Sequence, residues 1–368
     1  MRVVHVFKDF YPPTTGGVEQ HMQVLCSGLA RQMDLGVLVP SRSRRRVEER
    51  INGVRVIRVP EFGRYLSVPF CPSMPSELKR LAPDLVHLHF PNPTGDVAYL
   101  LSGCRAPVVV TYHADMLRHP LLLRGYRRVF EQLNRRIRRI IVASQEYLDS
   151  SSFLAAHRDK CVVVPFGVDV ETFTLRAGEV DAAQRLRQQH GERLVLFLGV
   201  LRPYKGLEVL VHAMQRVRGR LLIAGRGTWP GLEALVRQLG LERRVTVLGE
   251  VSDAERRLLL HACDVATLPS LDRREAFGIV QLEAMACGRP VVSSDLSTGV
   301  RSVNAHGQTG WLVPPGDADA LARALNMLLE DDDLRATLGK AAHERVEREF
   351  TAERMIARTR KVYEDVVG

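Results

Sequence analysis

Glu275-Ala-Phe277-Gly278-Ile279-Val280-Gln-Leu-Glu283-Ala-Met-Ala-Cys-Gly288-Arg-Pro290 reads as a loop, a helix, a glycine stop and the start of a strand. The helix opens at about Gly278, and Gly288 ends it, because glycine accepts the left-handed backbone that closes a helix. Glu275 then stands in the loop before the helix, and Glu283 lies more than one turn inside it. The first turn, Phe277 to Val280, offers unpaired backbone N–H groups that suit a phosphate. The two carboxylates can accept hydrogen bonds from sugar and ribose hydroxyls, and one carboxylate can take both hydroxyls of a vicinal diol. A lone glutamate on a helix is ordinarily solvated, but Glu283 stands among Leu282, Ala284, Met285 and Ala286.

Working outward, the same loop–helix–strand rhythm fills the chain. Strands are predicted at Arg2–Phe7, Leu35–Val39, Val54–Val59, Leu85–His89, Val108–Tyr112, Ile140–Ala143 and Cys161–Val164. A second series covers Val195–Gly199, Arg220–Ala224, Val245–Leu248, Val265–Leu268 and Pro290–Ser293. Most are continuous Val/Ile/Leu runs, the pattern of parallel strands buried on both faces. Helical periodicity lies between them, as at Gly206–Val217 and Trp229–Gly240. Alternating βα units predict an α/β protein of doubly wound parallel sheets. At 368 residues there is material for two such domains. The rhythm restarts near Leu194, so the boundary is placed near residue 170: residues 1–170 and 171–349, with a last helix at about 350–368 packing back on the first domain. Ligands of these folds bind beyond the carboxyl ends of the strands, in a cleft when two sheets face each other.

Composition narrows the classes. Hydrophobic residues make up 45% and charged residues 26%, ordinary globular values. The opening MRVVHVFKDF has no cleavage site and reads as a strand, and no stretch approaches the ~18 apolar residues of a spanning helix. A cytosolic location is the expectation. The six cysteines form no C-x-x-C pair and read as reduced, buried thiols. The net charge of +10 is uneven: residues 1–170 hold 24 basic and 15 acidic residues, the remainder 28 and 27. That asymmetry points to an anionic partner for the first half.

Two further loops follow strands. Tyr11-Pro-Pro-Thr-Thr-Gly16-Gly17-Val18-Glu19 precedes a helix with Val18, Met22, Leu25 and Leu29 on one face. Its paired glycines let backbone N–H groups approach an anion, or simply make a tight turn. It is not G-x-G-x-x-G, and Gly225-Arg-Gly227 lacks the third glycine, which argues against a dinucleotide-dependent oxidoreductase. In Gly199-Val-Leu-Arg202-Pro-Tyr-Lys205-Gly206, Arg202 and Lys205 can neutralise a diphosphate, or be two solvated cations.

Taken together, these strings resemble the family-4 retaining glycosyltransferases of the GT-B fold, two Rossmann-like domains facing a cleft. The resemblance rests on Gly16-Gly17-Val18-Glu19, Arg202 with Lys205-Gly206, Gly225-Arg-Gly227, Val251-Ser-Asp253, the Glu275/Glu283 pair and His306-Gly-Gln-Thr-Gly310-Trp-Leu-Val-Pro-Pro-Gly316-Asp. It implies transfer of a sugar from a nucleotide-diphosphate donor with retention of configuration. The resemblance assigns Gly16, Gly17 and Glu19 to the donor side, with both glycines lining the diphosphate, and Arg202 and Lys205 to its phosphates. Glu275 falls to the hydroxyls of the transferred sugar. Gly225, Val251 and the backbone of Phe277, Gly278, Ile279 and Val280 fall to donor binding, and Glu283 to the ribose. His113, in Thr111-Tyr-His113-Ala-Asp115, matches the family's active-site histidine, and Asp115 is a weaker acceptor-side candidate. Many members carry an arginine directly after the second loop's first glycine. Here that position is Val200, and Arg202 is expected to take over its role.

The resemblance implies no cofactor and no metal. Asp331-Asp-Asp333 reads as a solvated loop. Expected partners are a GDP- or UDP-sugar and a glycan or polyprenyl-diphosphate-linked acceptor, with GDP-mannose and bacterial polysaccharide assembly weakly favoured. A UDP-sugar enzyme acting on a small acceptor is the alternative. Over Leu121–Ile141, Leu122, Tyr126, Val129, Phe130, Leu133, Ile137 and Ile140 recur at helical spacing. Arg124, Arg127, Arg128, Arg135, Arg136, Arg138 and Arg139 fill the rest. This is either a core helix with a charged exterior or, with Ser41-Arg-Ser-Arg-Arg-Arg46, a peripheral patch for an anionic membrane. A nucleotide-sugar epimerase or a sugar phosphorylase on the same scaffold is the nearest rival, and the cofactor lysine or inorganic-phosphate site that a phosphorylase needs is not found. A nucleic-acid binder lacks a motif, and aromatics are only 6%.

Overall fold

The structure is a computed structural model that describes residues 1–12, 16–65, 68–115 and 120–368. The side chains of residues 120–125 and 127 are also outside the description, including Leu122, Arg124 and Arg127. The chain divides into two compact units. The first is Met1–Pro165 together with Ala352–Gly368; the second is Phe166–Thr351.

In the first unit the strands are β1 (Arg2–Val6), β2 (Asp34–Ser41), β3 (Val47–Ile51), β4 (Val54–Pro60), β5 (Arg64–Tyr65), β6 (Val68–Pro69), β7 (Leu85–Phe90), β8 (Val108–Tyr112), β9 (Ile137–Val142) and β10 (Cys161–Val163). Eight of them form one sheet in the order β10-β9-β8-β7-β1-β2-β4-β3, and β5 and β6 form a small hairpin. Every pairing in the large sheet is parallel except β3 with β4. The order reverses at β1, which lies between β2 and β7. The antiparallel edge strand β3 escaped the sequence pattern because VEERI is polar and mostly exposed.

The second unit adds β11 (Leu194–Leu198), β12 (Arg220–Ala224), β13 (Val245–Gly249), β14 (Val265–Leu268), β15 (Val291–Ser294) and β16 (Gly310–Val313). They form one sheet in the order β13-β12-β11-β14-β15-β16, all pairs parallel. Its order reverses between β11 and β14. The LVLFL of β11 is buried throughout, as a central parallel strand requires. Its Phe197 lies in one core cluster with Leu210, Val211, Met214, Leu325 and Leu328, all fully buried. Each contributes roughly 1.5–3 kcal/mol by leaving water.

Two expectations need correction. The arginine-rich stretch is not one helix from 121 to 141. A helix spans Pro120–Asn134, the chain turns at Arg135 and Arg136, and β9 begins at Ile137. Ile137 and Ile140 are buried in a strand, where the spacing of three goes with a shift in the β8–β9 register between Val108 and Val109, while Arg138 and Arg139 are exposed. Nor is Asp331–Asp333 a loop. The Asp331 carboxylate accepts the Leu334 N–H at 2.8 Å and caps the helix Asp332–Glu349, whose first turn holds Asp332 and Asp333. Carboxylates there complement the helix dipole. The last helix, Ala352–Val367, belongs to the first unit and packs on the helix Gly17–Leu29.

Candidate active site

β11 and β14 are neighbours, and their following loops meet where the strand order reverses, the place such sheets offer to ligands. After β11 the chain makes a short 3-10 turn at Pro203–Lys205 and enters the helix Leu207–Ala213 through Gly206. Gly206 has φ 72°, and a side chain there would place its Cβ 1.9 Å from the Pro269 carbonyl oxygen. Only glycine lets the two loops approach this closely. The Leu271 N–H then donates to the Tyr204 carbonyl at 2.7 Å, fastening them together.

This approach brings Lys205 and Glu275 together. Lys205 Nζ lies 2.5 Å from Glu275 Oε2, and the Ser270 hydroxyl donates to the same oxygen at 2.9 Å. Both charged side chains are nearly buried, 12% and 9% exposed, so each needs the other. Burial opposes the Lys205 ammonium, but the Glu275 carboxylate, with a smaller contribution from the Tyr204 phenol, outweighs it and holds its pKa above the ordinary value. The Tyr204 ring carries Lys205 Nζ at 5.5 Å and the Arg274 guanidinium at 4.9 Å from its centroid. Arg202, just before the turn, is exposed.

The helix of the opening motif is Ile279–Ala286, entered through Gly278, whose φ is 76° and which supplies no side-chain cap. Phe277 is 2% exposed because its ring packs against Phe166 and Phe350, centroids 5.0 and 6.3 Å away. It therefore brings backbone to the site and side chain to the core. Glu283, one turn on, is buried and ion-paired with Arg256, Oε1 to Nη1 3.2 Å. Burial raises the Glu283 pKa against the pull of Arg256, and Asp253 adds to the rise.

Sequence reasoning missed Arg256 and Ser270. Arg256 was within reach: Val251-Ser252-Asp253-Ala-Glu255 is a capping box that starts the helix Asp253–Ala262, where Arg256 sits in the first turn. Val251 lies half-buried in the loop before that helix. Gly225, directly after β12, lies against the start of the β11 loop. A Cβ there would sit 1.8 Å from the Gly199 carbonyl oxygen, so its smallness serves backbone packing.

In the first unit, Gly16 caps the helix Gly17–Leu29 without a side chain. The nearly buried Glu19 side chain folds back over it, so that a Gly16 Cβ would meet Glu19 Oε2 at 2.4 Å. That helix start thus has a carboxylate of its own chain beside it, favourable for the dipole. His113 follows β8 and is buried. Its backbone N–H donates to the Phe90 carbonyl at 3.0 Å, and its ring Nε2 lies 2.9 Å from His89 Nδ1. Burial first, then His21 and Lys8, push its pKa well below the usual imidazole range, so it is neutral. Asp115 accepts hydrogen bonds from the Tyr112 hydroxyl at 2.8 Å and the Ser151 hydroxyl at 2.9 Å, a brace within the unit.

Against known proteins, residues 181–345 match the family described as Glycosyl transferases group 1, and residues 15–172 match Glycosyltransferase Family 4. The D-rhamnosyltransferase WbpZ of Pseudomonas aeruginosa is 35% identical over 96% of this chain and 93% of its own. The chain belongs to the family-4, group 1 glycosyltransferases.

The O-antigen chain mannosyltransferase C of Escherichia coli is 33% identical to this glycosyltransferase, over 97% of this chain and 96% of its own. A phosphatidyl-myo-inositol mannosyltransferase of Mycolicibacterium smegmatis is 32% identical over 96% and 91%. Among solved structures, Anabaena HepE in complex with UDP superposes with a TM-score of 0.80 at 22% identity, covering 99% of this chain and all of that one. The fold of this glycosyltransferase is GT-B, with two Rossmann-like units, and the protein is an enzyme of the hexosyltransferase class.

Proposed function

We propose that this enzyme moves a mannose-type hexose from a nucleotide-diphosphate sugar, with retention, onto a glycan or lipid-linked acceptor in bacterial polysaccharide assembly. The observation that carries this reading is the buried Lys205–Glu275 pair at the reversal of the second sheet, beside the uncapped start of the helix that bears Glu283. Lys205 has three N–H donors; one serves Glu275, and the others are available to a diphosphate. Arg202, exposed beside it, supplies a second cation. Backbone N–H groups at Gly278, Ile279 and Val280 complete an anion-binding set. Glu275 takes hydroxyls of the sugar and Glu283 those of the ribose.

The chemistry is heterolysis of the sugar–phosphate bond through an oxocarbenium-like transition state. Stabilising the departing diphosphate is the main task, and preoriented cations and N–H dipoles do this without reorganisation. In the first unit the reading assigns His113 and the Gly16-Gly17 turn to substrate, and needs no metal or cofactor. The names of the relatives, a D-rhamnosyltransferase and two kinds of mannosyltransferase, favour a donor with a mannose-like ring. The excess positive charge of residues 1–170 favours an anionic, lipid-linked acceptor at a membrane surface. No helix among the described residues is long and apolar enough to cross a membrane.

Calorimetric titration with GDP, UDP and ADP in EDTA, on wild type and Glu283→Ala, tests the donor site. One diphosphate should bind, more weakly to the variant. Tight UDP binding would redirect the reading to a UDP-sugar, and binding of none would sink it. Proton NMR of the product anomer decides retention, and loss of turnover in EDTA restored by magnesium would overturn the metal-free mechanism. Flotation with anionic liposomes at low salt tests the membrane surface; protein left in the bottom fraction would remove it.

A further inference from the structure

His113 ends a chain of buried side chains in the first unit. Thr111 Oγ1 lies 2.7 Å from His87 Nε2, and His87 Nδ1 lies 2.5 Å from the Tyr363 hydroxyl. That hydroxyl is 3.1 Å from His5 Nε2. His5 Nδ1 is 2.9 Å from His89 Nε2, and His89 Nδ1 is 2.9 Å from His113 Nε2. The parallel register explains the gathering. His5 pairs with His87 and His89 with Thr111, so alternate positions on β1, β7 and β8 put these side chains on one face. Tyr363 reaches them from the helix Ala352–Val367, and His5, His87, His89 and Tyr363 are all fully buried.

Each of the five contacts needs one proton, and every group in the chain brings one. Burial is the first cause that holds all four imidazoles neutral, with His5 pushed down to about 3; the neighbouring imidazoles, and Lys8 at His113, add to it. Burial also pushes the Tyr363 phenol well above its usual value. A neutral imidazole has one N–H and one lone pair, so the donor direction cannot change within a ring. The phenol proton needs an acceptor, and the two imidazoles are its partners. One direction therefore runs through the chain. Thr111 sets which: the residue is 1% exposed and the contact of its hydroxyl is His87 Nε2, so we assign the hydroxyl proton to that nitrogen. His87 then donates from Nδ1 to Tyr363, Tyr363 to His5 Nε2, His5 from Nδ1 to His89, and His89 from Nδ1 to His113 Nε2.

From this geometry we infer that Thr111, His87, Tyr363, His5 and His89 fix His113 as a neutral Nδ1–H tautomer, which presents a hydrogen-bond donor to an oxygen of the substrate. The five are positioning residues. The role at substrate rests on the placement of His113 proposed above; the tautomer assignment does not. His5, His87 and His89 also place a nitrogen each within 4.8 Å of one another, as a metal site would. A metal there would consume the lone pairs that the hydrogen bonds use.

Long-range proton–nitrogen correlation spectra of the full chain labelled with 15N-histidine decide the matter, with His21→Gln removing the fifth buried imidazole. Four imidazoles should stay neutral from about pH 5 to 8, where exposed histidines titrate, and all four should carry the proton on Nδ1. Thr111→Val should shift His113 toward Nε2–H, and Thr111→Ser should restore it. Tyr363→Phe should mix the tautomers of His5, His89 and His113 and leave His87 unchanged. Its kcat should fall about tenfold at unchanged donor KM, short of the ~100-fold of a lost proton-transfer group. Mixed or Nε2–H tautomers in the wild type, or one zinc or copper ion per chain by elemental analysis, would overturn the inference. The wild-type spectrum decides even if a variant fails to fold. Absence of transferase activity with every sugar nucleotide would sink the functional reading and leave the spectral result standing.

Discussion

The Lys205–Glu275 pair of the second unit and the histidine chain of the first are both buried polar clusters toward the carboxyl ends of parallel strands, yet they meet burial in opposite ways. In the second unit a full positive charge is kept because a carboxylate lies 2.5 Å from it. In the first, the charges that the imidazoles feel are those of other imidazoles and of Lys8, which add to the effect of burial, so every ring stays neutral. A charged centre suits a departing diphosphate. A neutral donor suits a sugar oxygen, to which it can bond without attracting the leaving group. The same sheet architecture thus provides two electrostatic environments, and the difference lies in whether an acid is within reach of the base.

The largest test strikes the charged pair. Glu275→Gln removes the partner of a buried ammonium and a proposed sugar contact, and turnover should fall on the order of 100- to 1,000-fold, as when one preoriented transition-state donor is lost. Lys205→Ala should cost a similar factor, and the double variant clearly less than the product of the two, because the residues act as a unit. Independent, multiplying losses in steady-state kinetics would break that description. Next, Gly206→Ala should destabilise the second unit by about 3 kcal/mol in denaturant titration, since its Cβ meets the Pro269 carbonyl in a left-handed backbone. Glu283→Ala should weaken nucleotide affinity roughly tenfold, the worth of about one hydrogen bond to a charged group. An unchanged Kd would confine Glu283 to its pairing with Arg256.

The smallest effect probes a neutral acid in the first unit. Burial raises Asp96 to about 7, against a hydrogen bond from Tyr126 that pulls it down. Between its ordinary value of 3.8 and about 7 the folded state binds more protons than the unfolded one. This group's contribution to stability is therefore present at low pH and lost as pH rises through that window. Asp96→Asn should flatten that slope and melt higher than wild type at about pH 8, by thermal unfolding followed with circular dichroism. A wild-type Tm that rises through the window and an Asn variant that melts lower would count against a neutral Asp96.

Much of the second unit's site was legible because its pieces are local. Glycines at 206 and 278 mark loop-to-helix joints, and the Glu275-to-Pro290 string encodes a loop, a helix and a stop within sixteen residues. What was not legible was pairing across loops: that Lys205 would be buried against Glu275, that Ser270 would share its oxygen, or that Arg256 would meet Glu283 from another helix. The polar strand β3 and the short β16 were invisible for a different reason, since neither carries a long apolar run.

The sequence by itself determined the α/β alternation, the family and the residue types in the loops after β11 and β14, because hydrophobic period, glycine placement and motif spacing are properties of neighbours along the chain. His5, His87, His89 and Tyr363 gave no such signal; three looked like stray polar positions in strands and the fourth like a residue of a terminal helix. Only the tertiary structure made them a chain, because register between parallel strands and the return of the last helix bring together residues up to 358 positions apart.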